Sequence, residues 1–300
     1  MTFASIDIGS NAIRLLFASI FENDDGVLSP VKTAFIRMPI RLGGDVFSKG
    51  KIDDDREQKL LKALAAFKIL IDINEAVEYD AVATSAMREA SNGAQIITRI
   101  EKELGIRVRI VDGQEEAKTI REAGEISINS SSPMTMFVDV GGGSTEISVQ
   151  KNGHLINAES FNLGTLRLLN KKVDAEEWVR LHDWLMQFKE YFGEIECVGS
   201  GGNINKITKI FGKNKALKLK HLEKAYKKLS EMSVKKRMDA YNLRADRADV
   251  IVPASEIFLQ ILKTIGSDHV VVPKIGLADG LIVNMYKKHQ QHNENLLEKR

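Results

Sequence analysis

Phe137-Val138-Asp139-Val140-Gly141-Gly142-Gly143-Ser144 is the stretch whose reading decides the fold. An apolar run ends in an aspartate, a glycine turn with a serine follows, and Ile147 and Val149 then alternate with polar neighbours. That pattern is a buried strand, a tight turn and a returning strand. Ser5-Ile6-Asp7-Ile8-Gly9-Ser10 repeats the logic near the amino end, with alternation at Ile13, Leu15 and Phe17. Glycines at such turns let backbone N–H groups converge on an anion. Neither turn is a Walker loop, because no Gly-Lys-Ser/Thr follows and the next element is a strand. Neither is a dinucleotide fingerprint, because no G-x-G-x-x-G opens a helix. The simplest account of the echo is one duplicated lobe per half.

Working outward, Val31 to Met38 supplies a third strand after a turn at Gly26. Asp53 opens a helix whose Leu60, Leu64, Phe67 and Ile71 form a core-facing stripe. Tyr79 to Thr84 and Ile106 to Val111 read as short strands around a helix carrying Ile96, Ile97, Ile100 and Leu104. A further helix runs from Gly113 to about Ser127, and Asn129-Ser130-Ser131-Ser132-Pro133 reads as a linker. The expected lobes are therefore 1–127 and 128–300. In the second, Asp174 and Glu177 resemble a capping box before a stripe of Trp178, Leu181, Leu185, Phe188 and Phe192. Strand Ile195 to Val198 enters Gly199-Ser200-Gly201-Gly202-Asn203 and a helix. One long helix is expected over Asp246 to Ile265, then strand Val270 to Val272. A terminal helix over 280–300 has the option of packing back on the first lobe.

The chain has 300 residues, 43% hydrophobic and 28% charged, with a net charge of +2. Two domains are the default at this length, and near-neutrality gives no global field for nucleic acid or membrane. The single cysteine, Cys197, sits in an apolar strand and reads as a small buried hydrophobe. The first ten residues lack the marks of a signal peptide, and no window is long and apolar enough for a membrane helix, so a cytoplasmic protein is expected.

The paired aspartate turns resemble the actin-like ATPase superfamily. Further motifs follow in order: Asp7-Ile8-Gly9-Ser10-Asn11 with Arg14-Leu15; Ala83-Thr84-Ser85-Ala86 through Arg88-Glu89-Ala90 and Asn92; Gly113 through Glu116-Ala117; and Asp139 through Gly141-Gly142-Gly143-Ser144-Thr145-Glu146. Together they resemble the exopolyphosphatase / guanosine pentaphosphate phosphohydrolase family in its short, two-domain form. The resemblance implies an α/β protein of two actin-like (ribonuclease H-like) lobes, each a mixed sheet flanked by helices, with a cleft between them.

It also implies a chemistry. Water attacking a terminal phosphate needs the phosphate charge neutralised, and Mg2+ (Mn2+ as the alternative) prefers hard carboxylate oxygens. The resemblance assigns Asp139 and Glu146 to the metal, with Asp7 as the matching carboxylate of the first lobe. On the helix from Gly113, residues placed at 100° steps put Ala117, Ile120, Ala123 and Gly124 on one apolar arc, and Glu116 falls inside it. Partial desolvation suits that carboxylate to accept a proton, and the family's catalytic glutamate also falls at Glu116. Phosphate contacts are expected from Gly9, Ser10, Asn11, Arg88, Gly141, Gly142, Gly143, Ser144, Thr145, Arg167, Gly201 and Gly202.

Two positions depart from the family pattern: Thr165 replaces a cysteine, and Ala278 replaces an arginine after Leu277. Lys213, Lys215, Lys218, Lys220, Lys224, Lys227 and Lys228 form a basic cluster, read as a solvated helical face in preference to a polyanion track. The expected substrate is inorganic polyphosphate or guanosine pentaphosphate, with no nucleic-acid or membrane partner and a homodimer as an option. A non-catalytic sensor and a kinase of the same superfamily are the rival readings.

Overall fold

The computed structural model describes residues 1–23, 28–128 and 132–297, with side chains up to residue 291. The turn at Gly26 and the linker at Asn129–Ser131 lie outside the described residues. The chain forms two compact units. One comprises Met1–Asp112 with the helix that begins at Leu277, and the other Gly113–Ile275.

In the first unit, β1 (Thr2–Ile8), β2 (Ile13–Glu22), β3 (Leu28–Met38), β4 (Glu78–Ala83) and β5 (Arg109–Ile110) form a sheet in the order β3-β2-β1-β4-β5. The hairpin partners β1, β2 and β3 are antiparallel, and β4 and β5 join parallel to β1. Between them lie α1 (Leu42–Lys49), α2 (Asp54–Ile73), α3 (Ser85–Glu89) and α4 (Gly93–Leu104). The stripe Leu60, Leu64, Phe67 and Ile71 of α2 is buried, as its spacing predicts. Ladder pairing at Ile106–Val111 is confined to Arg109 and Ile110.

The second unit begins with α5 (Gly113–Ser127). Its strands β6 (Met134–Val140), β7 (Thr145–Lys151), β8 (His154–Phe161), β9 (Glu196–Ser200), β10 (Ala216–Lys218) and β11 (His269–Val271) are ordered β8-β7-β6-β9-β11-β10. Read from the hairpin edge, β8-β7-β6-β9-β11 reproduces β3-β2-β1-β4-β5, with β10 added at the far side. This is the topology of the actin-like fold, once in each unit. The helices are α6 (Thr165–Leu169), α7 (Ala175–Met186), α8 (Gly202–Phe211), α9 (Leu219–Ser230), α10 (Val234–Tyr241), α11 (Ala245–Ala248) and α12 (Ile251–Thr264). The helix expected over Asp246 to Ile265 is thus two pieces broken at Asp249 and Val250, with Pro253 in the first turn of the second, where its missing N–H costs nothing.

Successive strand residues face opposite sides of a sheet. Val138, Val140, Ile147 and Val149 point into a core shared with Leu181, Trp184 and Leu185 of α7 and Ile257, Phe258 and Ile261 of α12. Asp139, Phe137, Glu146 and Ser148 occupy the other face, and α5 packs on β6, β7 and β8. The approach is close: a Cβ on Gly124 would lie 2.3 Å from the Phe137 ring.

The lobe boundary expected at 127/128 is therefore displaced to 112/113. The arc of Ala117, Ile120 and Ala123 that marks α5 as half-buried finds its sheet downstream rather than upstream. The converse holds at the other end. α13 (Leu277–Leu297) starts three residues before the expected 280 and packs on β1, β2 and β4 of the first unit. Leu281, Ile282, Val283 and Met285 are buried, Tyr286 meets Phe3 edge-on at 6.3 Å, and the Ser5 hydroxyl donates to the Ala278 carbonyl at 2.8 Å. Among the described residues no helix is long and apolar enough to cross a membrane.

Candidate active site

The second glycine hairpin builds an acidic site from its register. Asp139 on β6 lies opposite Glu146 on β7; Glu146 lies opposite Ser160 on β8, and Asp139 neighbours Ser200 on β9. The row Ser160, Glu146, Asp139, Ser200 thus crosses four strands on one face. The hydroxyls at its ends orient the two carboxylates: Ser160 Oγ donates to Glu146 Oε1 at 2.9 Å, and Ser200 Oγ donates to Asp139 Oδ1. Glu116 descends on this row from α5. It is 7% exposed and Glu146 2%, and one carboxylate oxygen from each of Glu116, Asp139 and Glu146 lies within 4.8 Å of the others. Ala117, Ile120, Phe137 and Ser148 line the crevice beside Asp139 and Glu146.

Three carboxylates this close repel one another strongly in a desolvated setting, so a cation or a retained proton is needed to balance them. The donor set is all hard oxygen, which fits a divalent ion such as Mg2+ that keeps several of its own waters. The triad could hold a metal ion on these grounds.

The turn beside the triad is locked by its surroundings. Gly141 N–H donates to the Ser144 carbonyl (2.9 Å), while Thr165 N–H and Leu166 N–H donate to the carbonyls of Gly141 (3.0 Å) and Gly142 (2.8 Å). Arg167 Nε donates to the Gly143 carbonyl at 2.5 Å, and the Thr145 hydroxyl donates to the Leu163 carbonyl. A Cβ on Gly164 would come within 2.2 Å of Gly143 and 2.4 Å of the Gly142 carbonyl, so only glycine lets α6 approach the turn. Gly201, at φ 100°, passes beside Asp139 into α8, where Arg247 donates to Asn203 Oδ1 at 3.1 Å.

The first hairpin has the same shape and different chemistry. Gly9 N–H donates to the Ala12 carbonyl at 3.2 Å; Ser10 Oγ meets Ser85 Oγ at 2.8 Å and accepts from Ala86 N–H; and the Asn11 carbonyl accepts from Arg41 N–H at 3.1 Å. Asp7 is buried opposite Arg14 and forms an ion pair with it. Asp7, expected as a metal ligand, thus has a cross-strand arginine as a partner. Arg88, on α3, donates to the Val111 carbonyl at 2.8 Å, while Glu89 on the same helix is exposed.

The model of the Ppx/GppA phosphatase family matches residues 19–289. The chain belongs to the Ppx/GppA phosphatase family. Its relatives include a guanosine-5'-triphosphate,3'-diphosphate pyrophosphatase of Photobacterium profundum, 22% identical over 97% of this chain and 60% of the relative. An exopolyphosphatase 1 of Mycobacterium leprae is 23% identical over 94% of this chain and 89% of the relative. The chain therefore spans about 60% of the length of the first of these relatives. Among solved structures, the Aquifex aeolicus member of the Ppx/GppA family is 27% identical, covers 96% of this chain and 98% of its own, and superposes with a TM-score of 0.76. An exopolyphosphatase from Cytophaga hutchinsonii, 22% identical, shares the fold at a TM-score of 0.83 over 96% of this chain and 98% of its own.

Within this Ppx/GppA chain the structure adds residues that sequence reading did not single out. Ser160 carries no motif signal, and Ser200 is marked only as part of the Gly199–Asn203 glycine loop; the strand register reveals that both flank the acids. Arg247 lies 44 positions from its partner Asn203, beyond any local pattern. Cys197 is buried, and burial pushes its thiol up to about 12, which leaves it neutral and unreactive.

Proposed function

We propose that the chain is a metal-dependent phosphohydrolase that releases terminal orthophosphate from inorganic polyphosphate by direct attack of water. The observation that carries this reading is the approach of Glu116, Asp139 and Glu146 to within 4.8 Å beside a glycine turn. A divalent ion held by Asp139 and Glu146 would neutralise phosphate charge and orient the group. Glu116 reaches the row from the helix side, apart from the in-sheet pair. It takes a proton from the attacking water as the new P–O bond forms, and the bond to the rest of the phosphate chain breaks. The amides of Gly142, Gly143 and Ser144 would meet the developing charge, and Arg167 stiffens that turn through the Gly143 carbonyl. No covalent intermediate is required, and the buried, neutral Cys197 offers no nucleophile.

The test is phosphate release with Mg2+ on short and long polyphosphate, guanosine pentaphosphate and ATP. Glu116→Gln is expected to lower turnover by roughly 10²–10⁴-fold, the usual cost of losing a general base. Turnover at the wild-type rate would remove Glu116 from the role. The second reading is a guanosine pentaphosphate 5′-phosphohydrolase, favoured by the Photobacterium relative. It uses the same machinery with a different leaving group, and kcat/KM on the two substrates separates them.

A further inference from the structure

Helix α2 covers the first unit with one face and carries a second apolar row on the other. Placed at 100° steps, Leu60, Leu64, Phe67 and Ile71 gather on the buried side, and Lys62, Ile69 and Ile73 fall opposite them. Ile69 and Ile73, one turn apart, are 59% and 69% exposed, and Ala66 beside them is exposed too. Scattered apolar residues on a surface need no explanation. These are not scattered: positions 62, 66, 69 and 73 keep the alternating four- and three-residue spacing of a helix-pairing seam, with isoleucine as the ridge and alanine as the gap.

The charges around the row point to what covers it. Lys59 is held by Asp55 at 2.7 Å and Lys68 by Asp72 at 3.1 Å, each within the helix. Among the described residues, Lys62 before the row and Glu75 after it are exposed and have no ion-pair partner. Past the row lies a hollow of about 540 Å³ whose lining includes Asp72, Glu75, Glu78 and the exposed Val77, with Lys68 its one basic residue. The helix thus carries an unpaired cation at one end of its apolar row and an acid-lined hollow at the other. A second copy running antiparallel satisfies both ends at once. With a two-fold axis between Ala66 and Ile69, Ile69 of each chain enters the gap at Ala66 of the other. Ile73 then lies along the Lys62 stem, and the Lys62 ammonium is directed at the hollow. The symmetry makes every contact twice. A parallel pair would instead set Lys62 against Lys62 and Glu75 against Glu75.

We propose that the outer face of α2 is a self-association surface, on which two copies of this chain pair antiparallel across a two-fold axis. One helix pair covers less than the roughly 1,200–2,000 Å² of a standard interface, so the dimer is a weak one, with a dissociation constant on the order of 10⁻⁵ M. The surface shares no residue with the acidic triad, and its test is read without turnover.

The experiment is analytical ultracentrifugation of the full chain at low salt, from about 1 to 300 µM, a range that brackets that constant. Wild type is expected to pass from monomer to dimer across it. Ile69→Lys/Ile73→Lys, whose side chains face solvent in the single chain, should keep its melting temperature and associate at least roughly tenfold more weakly. Lys62→Glu and Glu75→Lys should each weaken association severalfold, and the two together should restore it, because the exchanged charges meet again across the axis. A wild type that stays monomeric throughout, or a dimer that survives the isoleucine change, overturns the surface. Failure of the paired charge reversal to restore what the single reversals lose overturns the antiparallel arrangement.

Discussion

Asp7 and Asp139 occupy the same place in two copies of one hairpin, and a single cross-strand neighbour separates their fates. Asp7 faces Arg14 and pairs with it within its own sheet; Asp139 faces Glu146 and, with Glu116 above, joins a cluster that could hold a metal ion. The backbone geometry alone therefore does not make a metal site. The residue seven positions on, across the turn, decides whether the aspartate faces a cationic side chain or a second carboxylate.

The comparison breaks most sharply if the second hairpin is given the first one's chemistry. If the triad binds Mg2+, wild type should melt higher on adding it; Glu146→Arg should pair Asp139 internally, remove that rise, and lower phosphate release on the order of 10³-fold, since a metal contributes several kcal/mol to such a transition state. The reverse change acts on stability rather than turnover. Arg14→Met leaves Asp7 buried and uncompensated; a cost of about 3 kcal/mol is expected for a buried pair, and toward the lower side here because the Arg14 side chain is 32% exposed. Urea unfolding would measure it. Gly164→Ala tests the lock on the acidic hairpin's turn, where the added Cβ meets only backbone. A loss of about 1–3 kcal/mol is expected, read by thermal unfolding together with a fall in turnover. Asp279→Asn probes the first unit, where burial pushes the carboxyl upward against the opposing pull of Lys32. A raised folded-state value means the folded chain holds that proton to a higher pH than the unfolded chain does. Its stabilising share is present at low pH and declines as pH rises through the folded value. The variant should show a slightly higher melting temperature at neutral pH and a flatter melting profile across the acidic range.

Much of this was legible in the residues. The echo between Asp7 and Asp139 predicts the duplicated sheet, and the helical arc that places Glu116 inward brings it onto the acidic row. What stayed hidden depends on partners distant in the chain. Amphipathicity shows that α5 is half-buried but not which sheet covers it, because an apolar arc fits any apolar face. The same ambiguity conceals the seat of α13. The break at Asp249 and Val250 escapes a periodicity that runs through it. The lysine cluster splits as well: Lys220, Lys224 and Lys227 are exposed along α9, while Lys213 and Lys215 sit at a tight turn whose non-glycine residues have positive φ, a conformation that composition does not announce.

The discontinuity of the first unit also sets an order of assembly during synthesis. The second unit is continuous in sequence, so once residues 113–275 have emerged from the ribosome it holds everything it needs to close. The first sheet emerges earlier yet lacks the cover that residues 277–297 provide. At roughly 5–20 residues per second, its β1, β2 and β4 wait about 10–40 s with Phe3 and its neighbours uncovered. The half made first is therefore the half completed last.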